Sequence, residues 1–407
     1  MIVLSWLLKQ GTITDDTIAR LDLRERYRDA YLSFTPHCSL KRLEEDYLYD
    51  IVRDDLYEVN DEAAAMLARC DGSRTVAELQ PTADFLEFCV EEDLLQVTEE
   101  PEKHDIVPGK APTPSLRYLE WVVTRRCNLA CRHCYLGDSE DEELPPELIE
   151  PLLEQFTAMH GLRVLISGGE PLLYRHFDML NEKIRNYPLR FVLLTNGMLL
   201  TKERAHSLNV HEIQISLDGM EKGHELIRGK GSFDRVVAAM EAVRHSGKDL
   251  SVATMIHSGN TDEWDEMVSL ITGLGAREWS IDYPCVKGRW QEHPDLAVDP
   301  AVAAEKMEYG FGASYHGTSP GWTCGRHLAA VLPSGEIVRC GLFPEAVHGN
   351  IRDGLAEAWS RIDHIPVDRT ECAGCEYADT CGGGCRFRAG GRSNRDVVMC
   401  HLYGKLV

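Results

Sequence analysis

Between residues 116 and 300, apolar runs of strand length alternate with stretches whose apolar residues recur every three or four positions. The runs predict strands at Tyr118–Val123, Arg163–Ile166, Phe191–Leu194, Glu212–Ile215, Val252–Ile256 and Trp279–Tyr283. The intervening patterns predict helices, among them Glu147–Met159, Phe177–Asn186, Phe233–His245 and Asp262–Thr272. Six strand–helix units joined by right-handed crossovers imply an α/β class: a parallel sheet curled into a partial (β/α)6 barrel of the TIM type, with its helices outside. Chemistry in such folds sits beyond the carboxyl ends of the strands.

The period changes upstream. LKRLEED, YLYDIVR and LYEVN read as strands, and DEAAAMLARC and TADFLEFCVEEDLL as helices. Asp71-Gly72 supplies a turn, and Ser73 and Thr75 offer helix-start chemistry. Residues 33–100 therefore predict a winged-helix-like domain. Residues 1–32 read as a charged helical lead-in, and the Pro- and Lys-rich residues 101–115 as a linker of some stiffness. After the barrel region, 116–300, residues 301–322 form a bridge without a clear pattern, and 323–407 form a Cys-rich C-terminal domain.

A chain of 407 residues predicts two or three domains. Its 43 Lys and Arg stand against 66 Asp and Glu, a net charge of −23 that argues against nucleic acid as a partner. Glu62, Glu78, Glu87, Glu91 and Glu92 spread that acidity across the helices of the N-terminal module, which favours a peptide over DNA there. The opening MIVLSWLL is too short to span a bilayer and lacks the marks of a signal peptide, so no membrane role and a cytoplasmic location are expected. Fourteen cysteines in a reducing compartment predict ligands rather than disulfides. Ten of them fall in two fields, while Cys38, Cys70 and Cys89 have no metal spacing and read as small buried hydrophobes.

The first field is Cys127, Cys131 and Cys134, a C-x3-C-x2-C array with no fourth cysteine nearby. Three thiolates can hold three corners of a cubane iron–sulfur cluster and leave one iron open. A zinc site wanting a fourth ligand, or plain core packing, are the alternatives at this spacing. Motifs then recur at successive strand ends: Ser167-Gly168-Gly169-Glu170-Pro171, Thr195-Asn196-Gly197, Ser216-Leu217-Asp218-Gly219, and Arg228-Gly229 after His224. Glycines there allow close backbone approach, the Glu170 carboxylate can receive an ammonium group, and Arg228 can pair with a carboxylate. Near the last strand, Cys285 reads as a core residue, a cluster ligand or a catalytic thiol, and Tyr283 and Lys287 are candidate acid–base groups by position. The second field spans Cys324, Cys340, Cys372, Cys375, Cys381, Cys385 and Cys400, with VLPSGEIVRC as a hairpin and a zinc ribbon as the alternative reading.

In the order of these motifs the chain resembles the radical SAM superfamily. The resemblance implies a [4Fe-4S] cluster on Cys127, Cys131 and Cys134 that cleaves S-adenosylmethionine (SAM) to a 5′-deoxyadenosyl radical. It further implies SAM contacts from Gly168, Gly169, Glu170, Pro171, Thr195, Asn196, Ser216, Asp218 and Arg228. The second field resembles the SPASM domain, which implies one auxiliary [4Fe-4S] cluster on Cys324, Cys340 and Cys385 and another on Cys372, Cys375, Cys381 and Cys400. For the first of these the fourth place falls to an open site, a water, His327 or Cys285.

The N-terminal module resembles the peptide-recognition element (RRE) of modified-peptide pathways, which also occurs as a stand-alone, PqqD-like protein in pyrroloquinoline quinone biosynthesis. There an added strand of leader peptide supplies main-chain hydrogen bonds. Together the resemblances imply an oxidoreductase that modifies a ribosomally made precursor peptide, forming for example a thioether or carbon–carbon link, and draws electrons from a donor such as flavodoxin or ferredoxin. Other substrates, in haem or cofactor biosynthesis or sulfatase maturation, and a non-catalytic peptide-binding iron–sulfur protein are the alternatives. Sulfatase maturases carry Asp directly after the cysteine matching Cys340; Gly341 stands here.

Overall fold

The six apolar runs form six parallel strands in the computed structural model, which describes residues 23–312 and 319–405. Residues 1–22 of the expected lead-in and 313–318 of the expected bridge lie outside the described residues. The described residues divide into two compact units, one built from those up to 115 with 156–162 and 187–190, the other from the remainder.

In the first unit, β2 (Cys38–Arg42), β3 (Asp46–Asp50) and β4 (Asp55–Val59) form an antiparallel meander at the three predicted strand segments. A second sheet places β1 (Tyr31–Phe34) between β5 (Asp71–Thr75) and β6 (Leu95–Thr98). The Asp71-Gly72 pair thus opens a strand instead of making a free turn, with Gly72 at φ 77° because any Cβ would strike the Glu102 carbonyl at 1.9 Å. Helices follow at Asp61–Leu67, Val76–Leu79 and Ala83–Glu91, each started by a polar cap: Asn60, Thr75 in a capping box with Glu78, and Thr82. Leu32, Leu48, Leu67 and Leu86 fill the core with Cys38, Cys70 and Cys89. Burial pushes the Cys38 and Cys70 thiols up to about 12, the state of inert apolar packing. Residues 101–115 run back along this unit, bonding His104 N–H to Asp71 O, Ala111 N–H to Arg42 O and Ser115 N–H to Glu44 Oε1.

In the second unit, β7 (Tyr118–Val122), β8 (Arg163–Ser167), β9 (Arg190–Thr195), β10 (Glu212–Ser216), β11 (Asp249–Met255) and β12 (Glu278–Asp282) pair in parallel in chain order. Trp121, Val164, Ile166, Val192, Ile213, Ile215 and Val252 are fully buried, as strands covered by helices require. The predicted C-terminal hairpin forms as β13 (Leu328–Val331) and β14 (Glu336–Val338), with Gly335 at φ 82° in its turn, and β15 (Val347–Asn350) follows. The hairpin does not stand apart from the barrel sheet. β13 pairs in parallel with β7, Leu328 opposite Tyr118, so the sheet runs to nine strands in the order β12-β11-β10-β9-β8-β7-β13-β14-β15. β7 thereby satisfies the backbone groups that an open sheet edge would leave unpaired.

Candidate active site

The loop after β7 carries Cys127, Cys131 and Cys134, and the neighbouring strand ends hold it in place. Gly169 N–H donates to Thr124 O (2.8 Å) and Glu170 N–H to Arg126 O (2.8 Å). A Cβ at Gly168 or Gly169 would meet those carbonyl oxygens at 2.5 Å, so the two glycines are required by contact between backbones. Cys127 N–H donates to Ser139 Oγ (2.9 Å), and Arg289 closes the far side with its N–H on Cys134 O (3.0 Å) and its Nε on Cys131 O (3.1 Å).

Glu170 is fully buried, and three donors from the chain reach its carboxylate. Thr195 Oγ1 donates to Oε1 (2.8 Å), Asn196 N–H to Oε2 (2.9 Å) and Leu172 N–H to Oε1 (3.2 Å). The side chain is a brace between the ends of β8 and β9. Burial raises its carboxyl pKa, against the lowering effect of those donors. Pro171 is buried at the start of a single 3-10 turn, Pro171–Leu173. Asn196, held from below, extends Nδ2 to Asn128 Oδ1 (2.8 Å) and lies 3.9 Å from Cys127 Sγ, and Gly197 turns the chain at φ 77°. Ser216 is half-buried at the end of β10.

Asp218, fully buried, and Arg228, nearly so, form an ion pair beside the array, Nε to Oδ2 at 2.6 Å. Asp218 Oδ1 also accepts Met255 N–H (2.8 Å), and its carbonyl accepts from His257 Nε2 and Asn260 Nδ2. Burial alone would raise the Asp218 carboxyl, but Arg228 and His133 outweigh it and hold the group well below the usual carboxylate range. Arg228 turns its remaining nitrogens toward Cys131 Sγ (3.9 Å) and His133 Nε2 (3.4 Å). Burial lowers His133 to about 4, so the ring is neutral near pH 7, and its buried Nδ1 has no hydrogen-bond partner. Three thiols of one loop, an orphaned ring nitrogen and a guanidinium beside them fit a three-ligand cluster that chelates a zwitterionic ligand. Burial pushes the Cys127 and Cys131 thiols up, so their deprotonation falls to a bound metal.

The C-terminal cysteines sort into two groups. Cys372, Cys375, Cys381 and Cys400 line one cavity with Tyr377, Met399 and Tyr403. Burial pushes Cys340 up to about 12, with Cys324 and Cys385 among the neighbours that raise it further. Cys285 lies beside Cys385, and the two thiols shift each other in opposite directions, Cys285 up and Cys385 down. Four thiols around one cavity fit a four-ligand cluster.

Between the array and Cys340 lies a pair that spacing did not reveal. Tyr135, next to Cys134, brings its hydroxyl close to Gly341 alongside Glu120 of β7, and Glu120 Oε2 accepts Gly341 N–H at 3.1 Å. A Cβ at Gly341 would meet Glu120 Oε1 at 2.9 Å and Tyr135 Oη at 3.1 Å, so the carboxylate takes the room a side chain at 341 would need. Its one sequence signal is an acid inside an apolar strand, YLEWVV. The positional candidates resolve differently: Tyr283 Oη donates to Val298 O (3.0 Å), and Lys287 Nζ donates to Leu342 O (2.6 Å) while lying over the Phe387 ring. Both hold loops.

The family model of the radical SAM superfamily matches residues 121–271, the stretch that contains the array, the braced Glu170 and the Asp218–Arg228 pair. Residues 121–271 are a radical SAM domain. Mycofactocin maturase MftC of Mycolicibacterium smegmatis is 28% identical over 305 residues, 66% of this chain and 77% of that protein. PqqA peptide cyclase of Gluconobacter oxydans is 29% identical over 333 residues (72% and 92%), and AdoMet-dependent heme synthase of Nitratidesulfovibrio vulgaris 25% over 332 (68% and 89%). Among solved structures, Streptococcus suis SuiB bound to precursor peptide SuiA superposes with a TM-score of 0.68 at 15% identity, covering 91% of this chain and 99% of that one. That likeness is one of fold, in which the radical SAM domain sits within a longer shared architecture.

Proposed function

We propose that the chain is a radical SAM enzyme that modifies a ribosomally made precursor peptide, with the N-terminal unit holding the leader. The observation that carries this reading is a three-thiol array and a second set of thiols in one unit, with Tyr135 and Glu120 meeting at Gly341 between them. Two of the relatives above are named for peptide maturation or cyclisation. Cys127, Cys131 and Cys134 are suited to hold a [4Fe-4S] cluster, with Asn196, Arg228 and His133 around SAM. The C-terminal groups are suited to hold two auxiliary clusters. Once bound, these groups supply the 5′-deoxyadenosyl radical and a path for electrons. The chain's own part is to orient and to handle protons: Glu170 braces two strand ends, Asp218 aims Arg228, and Glu120 offers a carboxylate beside the array. In the N-terminal unit β4 has β3 as its only strand partner among the described residues, and the Tyr57–Phe88 contact packs it on helix Ala83–Glu91. A leader strand added to that edge would gain main-chain bonds and raise the local concentration of the core segment.

The test is the mass of a precursor peptide after anaerobic incubation with reconstituted enzyme, SAM and reductant. Loss of two hydrogens is expected, and the leader alone should inhibit that modification without inhibiting SAM cleavage. Cleavage of SAM with neither a mass change nor deuterium uptake by the peptide would move the substrate to a small molecule, the class to which the heme synthase relative points.

Glu120 makes a separate prediction. Burial raises its pKa, against the lowering effect of Gly341 N–H and the neighbouring Tyr135 hydroxyl, so a proton acceptor here gains function as pH rises through a value higher than that of a free glutamate. Glu120→Gln should lower peptide turnover about 10²-fold and remove that inflection, with 5′-deoxyadenosine still formed. An unchanged pH profile would assign Glu120 to holding the loop alone.

A further inference from the structure

The group Cys324, Cys340 and Cys385 is one thiol short of a closed cubane. The described residues contain all fourteen cysteines. Three belong to the array, four line the other cavity, and Cys38, Cys70 and Cys89 pack the core of the first unit. Cys285 is the one left. His327, the other side chain considered for this place, directs Nε2 to Ser319 Oγ at 3.2 Å.

Cys285 sits beside the incomplete group because its loop is pinned to the C-terminal segments from both ends. On one side the Arg388 guanidinium grips Asp396 (Nε to Oδ2, 2.9 Å), pairs with Asp282 and donates to Tyr283 O (3.4 Å). Asp396 Oδ2 in turn accepts Cys385 N–H at 2.9 Å, so one buried ion pair positions both Cys385 and the residues before Cys285. On the other side Lys287 Nζ reaches Leu342 O (2.6 Å), two residues beyond Cys340. Between these anchors Cys285 sits beside Cys385. Next along, Gly288 lies against the Cys134 carbonyl, where a Cβ would stand at 2.3 Å.

We propose that Cys285, from outside the C-terminal cysteine pattern, is the fourth thiolate of the auxiliary cluster on Cys324, Cys340 and Cys385. The inference rests on the reading that these three cysteines hold a cluster. On ligation the Cys285 thiol releases its proton to solvent and its sulfur bonds iron. Four thiolates close the cluster to substrate. A thiol of the peptide then cannot bind this cluster, whose work is confined to carrying electrons.

The experiment uses reconstituted holoenzyme with SAM present, so that the open iron of the array is occupied, and cyanide as the probe of any other open iron. Wild type should hold roughly 12 iron per chain. Its auxiliary paramagnetic resonance signals should not move with cyanide. Cys285→Ala should give an auxiliary signal that shifts with cyanide, and Cys285→Ser, closer in shape, one whose g values differ from wild type without it. A cyanide-sensitive auxiliary signal in wild type, or variants spectroscopically identical to wild type, would overturn the assignment. About 4 iron in wild type would instead remove the auxiliary clusters, and the proposal with them.

Discussion

Cys127→Ala enzyme, reconstituted without oxygen, should release no 5′-deoxyadenosine and should lose about 4 of roughly 12 iron. The array has three sulfurs and no reserve, since every other thiol is grouped elsewhere or packed in a core. Two thiolates cannot retain a cubane against chelation by solvent. The fold should survive, because the loop is held by contacts that do not use the sulfur: Cys127 N–H on Ser139, Arg289 on the carbonyls of Cys131 and Cys134, and the glycine contacts at 168 and 169. The auxiliary signals should therefore persist in the variant, which separates loss of the array's cluster from general collapse. Undiminished 5′-deoxyadenosine would remove the cluster from these cysteines.

Asp218→Asn should be the most destabilising isosteric change at the site. It leaves the nearly buried Arg228 guanidinium with its charge unmatched, a loss of about 3–5 kcal/mol. The denaturation midpoint should fall accordingly, and SAM affinity with it, because Arg228 no longer has a fixed aim. The ion pair also sets a pH dependence. The Asp218 carboxyl is depressed in the folded chain, so its contribution is full above the unfolded value of about 4 and is lost as pH falls below it. Wild type should lose stability steeply below about pH 4, and the variant less steeply over that window. Equal slopes would show that Asp218 does not carry the charge.

The barrel was legible because its strands are buried on both faces and its helices are long, so each apolar run had one plausible use. Strands β7 to β12 lie within a few residues of their expected places. β1, β5 and β6 were not legible: they are four or five residues long, and Asp71-Gly72 within β5 carries turn chemistry that a sheet partner overrides. The pairing of β13 with β7 leaves no local mark, since a parallel register depends on residues two hundred positions apart. At the site, cysteine spacing located both thiol fields, and the glycines and Arg228 converged with the first. Spacing could not say which way a side chain is spent. Glu170 turns inward, Tyr283 and Lys287 hold loops, and Glu120 reaches the array from mid-strand.

The β7–β13 pairing also orders events during synthesis. β7 leaves the ribosome roughly 210 residues before its partner, which at about 5–20 residues per second is a wait of about 10–40 s. Throughout that interval the strand preceding the cysteine array offers one bare edge. The C-terminal hairpin ends the wait, so a segment made after all six barrel strands is the one that seals the first of them. A nascent chain halted before residue 328 should bind chaperones that recognise unpaired strands and should be sensitive to proteolysis around the array, whereas the finished chain should be neither.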